Sequence, residues 1–231
     1  MSTLLRASIL ISCVAVAAVT PACQTPPVTP GASIGEAMPQ DVRSRIKEAR
    51  FQAAIKGLDF SGDLVVVVQP LGGDRDLARQ HQAAGLEALQ GNRLTGAITE
   101  LAQAVRTAPQ DAALHNSLGV ALRAKGKSRY AAAAFRTAVS LDPGRIEAQY
   151  NLADTLWRLG RATEAIEQML TVLKLDPRHA VAHERLAIWH YYAGDGAAAW
   201  EHVRFARELG RQPPPQFLTL LEARMPRPGG K

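Results

Sequence analysis

Counting by 34 from Pro109 reaches Pro143 and then Pro177, and the same step carries three columns of small residues along the chain. These are Gly85, Gly119, Ala153 and Ala187; Ala97, Ala131, Ala165 and Ala199; and Ala104, Ala138, Val172 and Ala206. A period of this length, with one small residue early, two later and a closing proline, describes stacked helix–turn–helix units. Such units bury their apolar faces only against their neighbours, which restricts the chain to an open array. The composition agrees, since 47% apolar residues with only 5% aromatics leaves a core of Ala, Leu and Val. That mixture suits helices in close contact.

The phase places repeats at 78–111, 112–145, 146–179 and 180–213, each expected as two antiparallel helices. The early small residue lets the first helix approach the second, where the Ala97 column faces it. Leu101, Phe135, Met169 and Val203, with Ala84, Leu118, Leu152 and Leu186, fill the space between. Turns are expected at Gly91-Asn92, Gly126, Gly160 and Gly194, and the prolines end each second helix because proline cannot continue one. On these columns, residues 78–213 resemble the tetratricopeptide-repeat family, most strongly in repeats two and three with Leu141-Asp142-Pro143 and Leu175-Asp176-Pro177. Repeat four departs from the pattern, with Arg211 at the proline position and Pro213-Pro214-Pro215 beyond. The resemblance implies an all-α, right-handed superhelical solenoid of four helix pairs. Residues 214–231 would add a capping helix, expected over 216–225, and a tail.

Before the array, residues 38–77 hold two features. A helix is expected from Pro39 to about Ile55, with Val42, Ile46 and Ala53 as its thin apolar stripe. Leu64-Val65-Val66-Val67-Val68 is the strongest β-favouring run in the sequence. It admits three readings: an extended cap laid on the first repeat, a strand that adds to a partner, or a helical extension.

Residues 1–22 read as an export signal, with Arg6 ahead of an apolar stretch from Ala7 to Val19 and small residues before Cys23. Thirteen residues rise only about 20 Å as a helix, short for a bilayer. Thr20-Pro21-Ala22-Cys23 resembles the site at which bacterial lipoproteins are cut and lipidated. Ala22 matches that pattern, whereas Thr20 and Pro21 depart from it. Lipidation at Cys23, ordinary cleavage after Ala22 and an uncleaved anchor all fit. Residues 23–37, rich in proline, would form the tether. If lipidated, Gln24 resembles the outer-membrane sorting signal, which implies an outer-membrane lipoprotein facing the periplasm. The alternatives are a soluble periplasmic and a cytoplasmic protein.

Several strings look like chemistry and are absorbed by the repeats. Ala121 to Ser128 satisfies a relaxed phosphate-loop pattern, but that loop needs a strand before it, and the phase makes this stretch a helix and its turn. Gly31-Ala32-Ser33-Ile34-Gly35 resembles a nucleophile elbow, yet a proline-rich tether supplies no strained strand-to-helix turn. His81, His115 and His183 share one repeat column and are expected to pack between helices rather than hold a metal. The formal charge of +6 lacks the aromatic platform that single-stranded nucleic acid requires. No enzyme, cofactor, metal, nucleic-acid partner or small-molecule substrate is expected.

The family resemblance implies that first helices line a concave groove for a peptide or protein partner. Its inward columns nominate Gln82, Leu86 and Leu89 in repeat one, and Asn116, Val120 and Arg123 in repeat two. Repeat three gives Tyr150, Asn151, Asp154, Trp157 and Arg158; repeat four gives Glu184, Arg185, Ile188 and Tyr191. Members that clamp the terminal carboxylate of chaperones use Lys and Asn early in the array, where this chain has Gln82 and Leu86. In plan the chain resembles bacterial TPR lipoproteins that pilot secretin subunits or assist type IV and tight-adherence pili. An adaptor for cell-wall hydrolases and a soluble intracellular co-chaperone are the alternatives.

Overall fold

The computed structural model describes residues 40–227. The chain divides after Ser44 into two compact units, and the second, Arg45–Lys231, carries the repeats. Among the described residues the order is α1 (Gln40–Ala54), β1 (Leu58–Asp59), β2 (Val66–Val67), α2 (Arg75–Gln90), α3 (Leu94–Thr107), α4 (Ala112–Ala124) and α5 (Ser128–Leu141). It continues with α6 (Ile146–Arg158), α7 (Ala162–Leu175), α8 (Ala180–Ala193), α9 (Gly196–Glu208) and α10 (Pro215–Arg224). Four helix pairs, α2/α3 to α8/α9, form the solenoid, each second helix packing on the first helix of the next pair.

The small-residue columns set how close the paired helices come. A Cβ added at Gly85 would lie 2.6 Å from Leu101 Cγ, and one at Gly119 would lie 2.5 Å from Phe135 Cε1. Both partners are fully buried, so neither can swing aside freely. In repeats three and four, Ala153 and Ala187 carry that Cβ, and the facing column holds the slimmer Met169 and Val203. Small residue and large partner therefore trade volume along the array, as dense interiors require.

The turns are repeated as strictly as the cores. Asn92 (φ 55°), Gly126 (77°), Gly160 (77°) and Gly194 (87°) occupy the left-handed region between paired helices. Asn is among the few non-glycine residues at home there. Between repeats, the proline carbonyls accept side-chain bonds from the following first helix: His115 Nε2 to Pro109 O at 2.9 Å, Gln149 Nε2 to Pro143 O at 2.8 Å and His183 Nε2 to Pro177 O at 3.2 Å. A side chain six residues on thus closes each connection. The same column reaches the second helix of its own pair 19 residues later, as His81 to Glu100, Gln149 to Gln168 and His183 to His202. Only His115 faces an alanine, Ala134, and its Nδ1 has no partner.

The N-terminal segment corrects two expectations. The buried stripe of α1 is Phe51 and Ala54, followed by Ile55, while Ala53 is exposed and Ile46 half-buried. Phe51 makes an edge contact with Tyr130 and lies 4.3 Å from Lys127 Nζ, whose ammonium also pairs with Glu48 at 2.6 Å. The valine run is neither an unpaired strand nor a cover for the first repeat alone. Leu58 pairs with Val67 and Asp59 with Val66 in a short antiparallel ladder. Val65 is buried and donates its N–H to Thr137 Oγ1 of α5 at 2.8 Å. Val66 and Val68 point outward, as a period of two demands. Beyond the ladder, Arg106 of α3 bonds Gln69 O through Nε and accepts from Leu71 N–H at its own carbonyl. The strap therefore runs over the outer helices of repeats one and two.

At the other end, α10 replaces the missing next repeat. Phe217 and Leu221 bury themselves against Ala187, Tyr191, Ala199, Trp200 and Val203, and Trp200 Nε1 donates to Met225 O at 2.7 Å.

Gly119→Leu is expected to lower stability by about 1–3 kcal/mol through overpacking against Phe135, measured by urea unfolding. Adding Phe135→Ala to Gly119→Leu should cost less than the sum of the two single changes, a coupling that a double-mutant cycle reads directly.

Candidate functional site

The first helices α2, α4, α6 and α8 present their polar residues to one another at a spacing of one repeat plus one residue. Gln82 Nε2 donates to Ser117 Oγ at 3.4 Å, Asn151 Nδ2 to Asn116 Oδ1 at 3.0 Å, and Arg185 Nε to Tyr150 Oη at 3.4 Å. These rungs cross the inner face and tie each first helix to the next. Asn116 and Asn151 satisfy each other, so both serve partly as structure. Leu86 is exposed, while Leu89, Val120 and Ile188 are half-buried against the core.

Charge concentrates one turn further along. Asp154 is 7% exposed and accepts from Arg158 Nε at 2.9 Å and from Arg123 Nη1 at 3.4 Å. Burial pulls the Arg123 guanidinium below its usual pKa, Asp154 opposes this, and Arg158 and Arg185 push it further down. Arginine stays protonated regardless. The Arg123 guanidinium also lies over Phe135, its carbon 5.5 Å from the ring centre.

Beside this cluster is an aromatic platform. Trp157 is half-buried and stacks on fully buried Trp189, with centroids 5.0 Å apart and planes within 10°. Tyr192, 67% exposed, stands 6.2 Å from Trp157. Tyr150 stacks on His179 at 5.6 Å.

Two nominated residues of repeat four lie elsewhere. Tyr191 is buried, with an edge contact to Phe217 of α10 at 5.8 Å, so it belongs to the end cap and not to the open face. In repeat three the same column holds Trp157, where no capping helix intervenes. Glu184 is buried and bonded to Arg211, the residue that stands where earlier repeats have proline. Sequence reasoning missed Trp189 and Tyr192. Tyr192 shares a column with Arg158, and Trp189 interrupts a column that reads Ala121 and Thr155 in the preceding repeats. Cys23 and the Gly31–Gly35 string lie outside the described residues.

Ala121 to Ser128 is the end of α4, its turn and the start of α5, with no strand ahead of it. His183, His190 and His202 cluster between α8 and α9, yet among the described residues no group of three His, Cys, Asp or Glu is placed to hold a metal. No helix among the described residues is long and apolar enough to cross a membrane.

Three overlapping stretches, 83–146, 119–180 and 150–212, match the tetratricopeptide repeat and together span more than half of the chain. The chain belongs to the tetratricopeptide-repeat family. A TPR repeat-containing protein of Pseudomonas aeruginosa is 29% identical over 178 residues, covering 68% of this chain and 72% of that protein. Among solved structures, YrrB, described as a TPR protein with an unusual peptide-binding site, shares the fold at a TM-score of 0.56 and 23% identity, over 65% of this chain and 76% of its own. The first TPR domain of Spaghetti, bound to the HSP90 peptide SRMEEVD, superposes with a TM-score of 0.52 at 18% identity, over 54% of this chain and 98% of that one. The TPR fold is generally a non-catalytic scaffold for interactions with proteins and peptides.

The histidine cluster gives the array a pH response. Burial, then His183 and His190, push the His202 pKa from 6.5 to about 4. The unfolded chain therefore binds a proton that the folded chain refuses between those values. The resulting stability is intact above pH 6.5 and is lost as the pH falls towards 4, by up to about 3 kcal/mol. His202→Phe should reduce the pH dependence of the urea midpoint over that interval, leaving the smaller share of His115 and His190, which burial also lowers; an unchanged slope would assign the acid sensitivity to another group.

Proposed function

We propose that the chain is a non-catalytic adaptor that holds a segment of a partner protein on the inner face of its array, centred on α6 and α8. The observation that carries this reading is the surface formed by half-buried Trp157 with exposed Tyr192 and Arg158, supported from beneath by buried Trp189 and Asp154. Aromatic and arginine side chains on rigid supports are the usual anchors of protein recognition. Packing from below fixes them in advance, which lowers the ordering cost of association. Family membership supports a binding role, as do two fold neighbours described as peptide-binding or peptide-bound.

The second half of the proposal concerns location. The apolar stretch before Cys23, and the proline-rich residues after it, support an exported protein anchored by lipid on Cys23 and facing the periplasm from the outer membrane. A tether of that kind would keep the groove near the membrane while leaving it free to reach a client. The plan is that of TPR lipoproteins that serve secretin or pilus assembly, and we place this adaptor with them.

Two measurements test the halves separately. A photo-crosslinking amino acid at Val120 or Tyr192 should yield a discrete adduct in cells, while the same probe at Glu167 on the outer helix α7 should not. Equal adducts from both faces would move the binding surface. Palmitate labelling and membrane retention should both vanish in Cys23→Ala; a wild-type chain that takes up no label refutes the lipid anchor.

A further inference from the structure

Three guanidiniums meet at the centre of the inner face, one from each of α4, α6 and α8. Arg123 and Arg158 share the single carboxylate of Asp154, and Arg185 contacts the Tyr150 hydroxyl. Each guanidinium offers five donors in a rigid fork matched to a carboxylate. One buried Asp154 and one phenol leave most of these donors without a protein acceptor at the site. Glu184, next to Arg185 in sequence, is bonded to Arg211, a fourth cation that offsets its charge. Four cations, Arg211 included, against the two carboxylates of Asp154 and Glu184 make the centre of the groove positive, and the low dielectric of its walls strengthens that field.

The position of the charges narrows the ligand further. The side chain of Arg158 is 59% exposed and that of Arg123 24% exposed, so the cluster opens onto the groove. It spreads over three successive helices instead of ending in a closed pocket, which suits a chain passing through more than a chain terminus. Trp157, half-buried, neighbours Arg158 in sequence and stands 6.2 Å from the ring of exposed Tyr192. An apolar or aromatic side chain can lie there while an acidic neighbour meets the guanidiniums.

We infer that the occupant is an extended acidic segment of a partner protein, in which an internal Asp or Glu side chain is held by Arg158 together with Arg123 or Arg185, beside an apolar residue seated on Trp157 and Tyr192. This rests on the inner face being the binding surface. It differs from a terminal-carboxylate clamp in residues and in place, since the early positions of the array hold Gln82 and Leu86.

The test is selection from a random peptide library displayed with blocked C-termini, followed by fluorescence anisotropy of the enriched peptides in amidated form. Enrichment of Asp or Glu flanked by an aromatic or aliphatic residue is expected. Affinity should fall about tenfold or more in Arg158→Glu and weaken as salt rises. Because that side chain is largely exposed, helicity by circular dichroism should not change. Neutral or basic enriched sequences, or acidic binding that Arg158→Glu leaves intact, overturn the inference while leaving the groove as a binding face. Peptides that bind only with a free C-terminus overturn the internal side-chain assignment. A library from which nothing is enriched removes the groove reading and this inference with it.

Discussion

The approach of each first helix to its second is the contact on which the rest of the structure depends. Gly119 lies against the Phe135 ring closely enough that no Cβ fits, and Gly85 does the same against Leu101. Close approach buries the large residue completely and fixes the distance between paired helices. That distance, repeated four times, sets the spacing at which the first helices present their inner surfaces. The polar rungs between α2, α4, α6 and α8 form only because that spacing is kept.

A second layer of order comes from one column of side chains that works in two directions in repeats three and four and in one direction in repeats one and two. His115, Gln149 and His183 each reach back to a proline carbonyl, and the His81, Gln149 and His183 positions also reach across to the second helix. Such a residue joins the turn, the first helix and the second helix of one unit. Buried polar groups demand partners, so the identity at this column is tied to the residue 19 positions later. Where the partner is Ala134, one imidazole nitrogen goes without. The histidines of this column are therefore fasteners of the array.

How much of this was legible in the sequence follows from the range of each interaction. The helix pairs and turns repeat at 34, so each position is confirmed by others; of the filling columns, Leu118, Leu152 and Leu186 are buried, whereas Ala84, in the first repeat, is exposed. The termini have no such redundancy. Phe51 was not recognised as the anchor of α1 because its partners, Tyr130 and Lys127, are far along the chain. Leu58-Asp59 carries no β signal of its own, so the partner strand of the valine run was invisible until the fold brought them together. Tyr191 was placed on the open face by its column, correctly for an internal repeat and wrongly for a last one, where α10 covers it. Periodicity predicts what neighbours of the same kind do, and fails where the neighbour changes.

The same end effect explains where the candidate surface sits. At the N-terminal side, the first-helix residues Gln82 and Leu86 bring little charge, and the strap over α3 and α5 braces the outer face rather than the inner one. At the C-terminal side, α10 and Arg211 consume Tyr191 and Glu184. Between those limits, α6 has a complete repeat on each side. It can expose Trp157 and Arg158 because Trp189 supports one from α8 and Asp154, on α6 itself, holds the other. An array this short has only its interior to spend on recognition, and its interior is where aromatic surface and unmatched positive charge coincide.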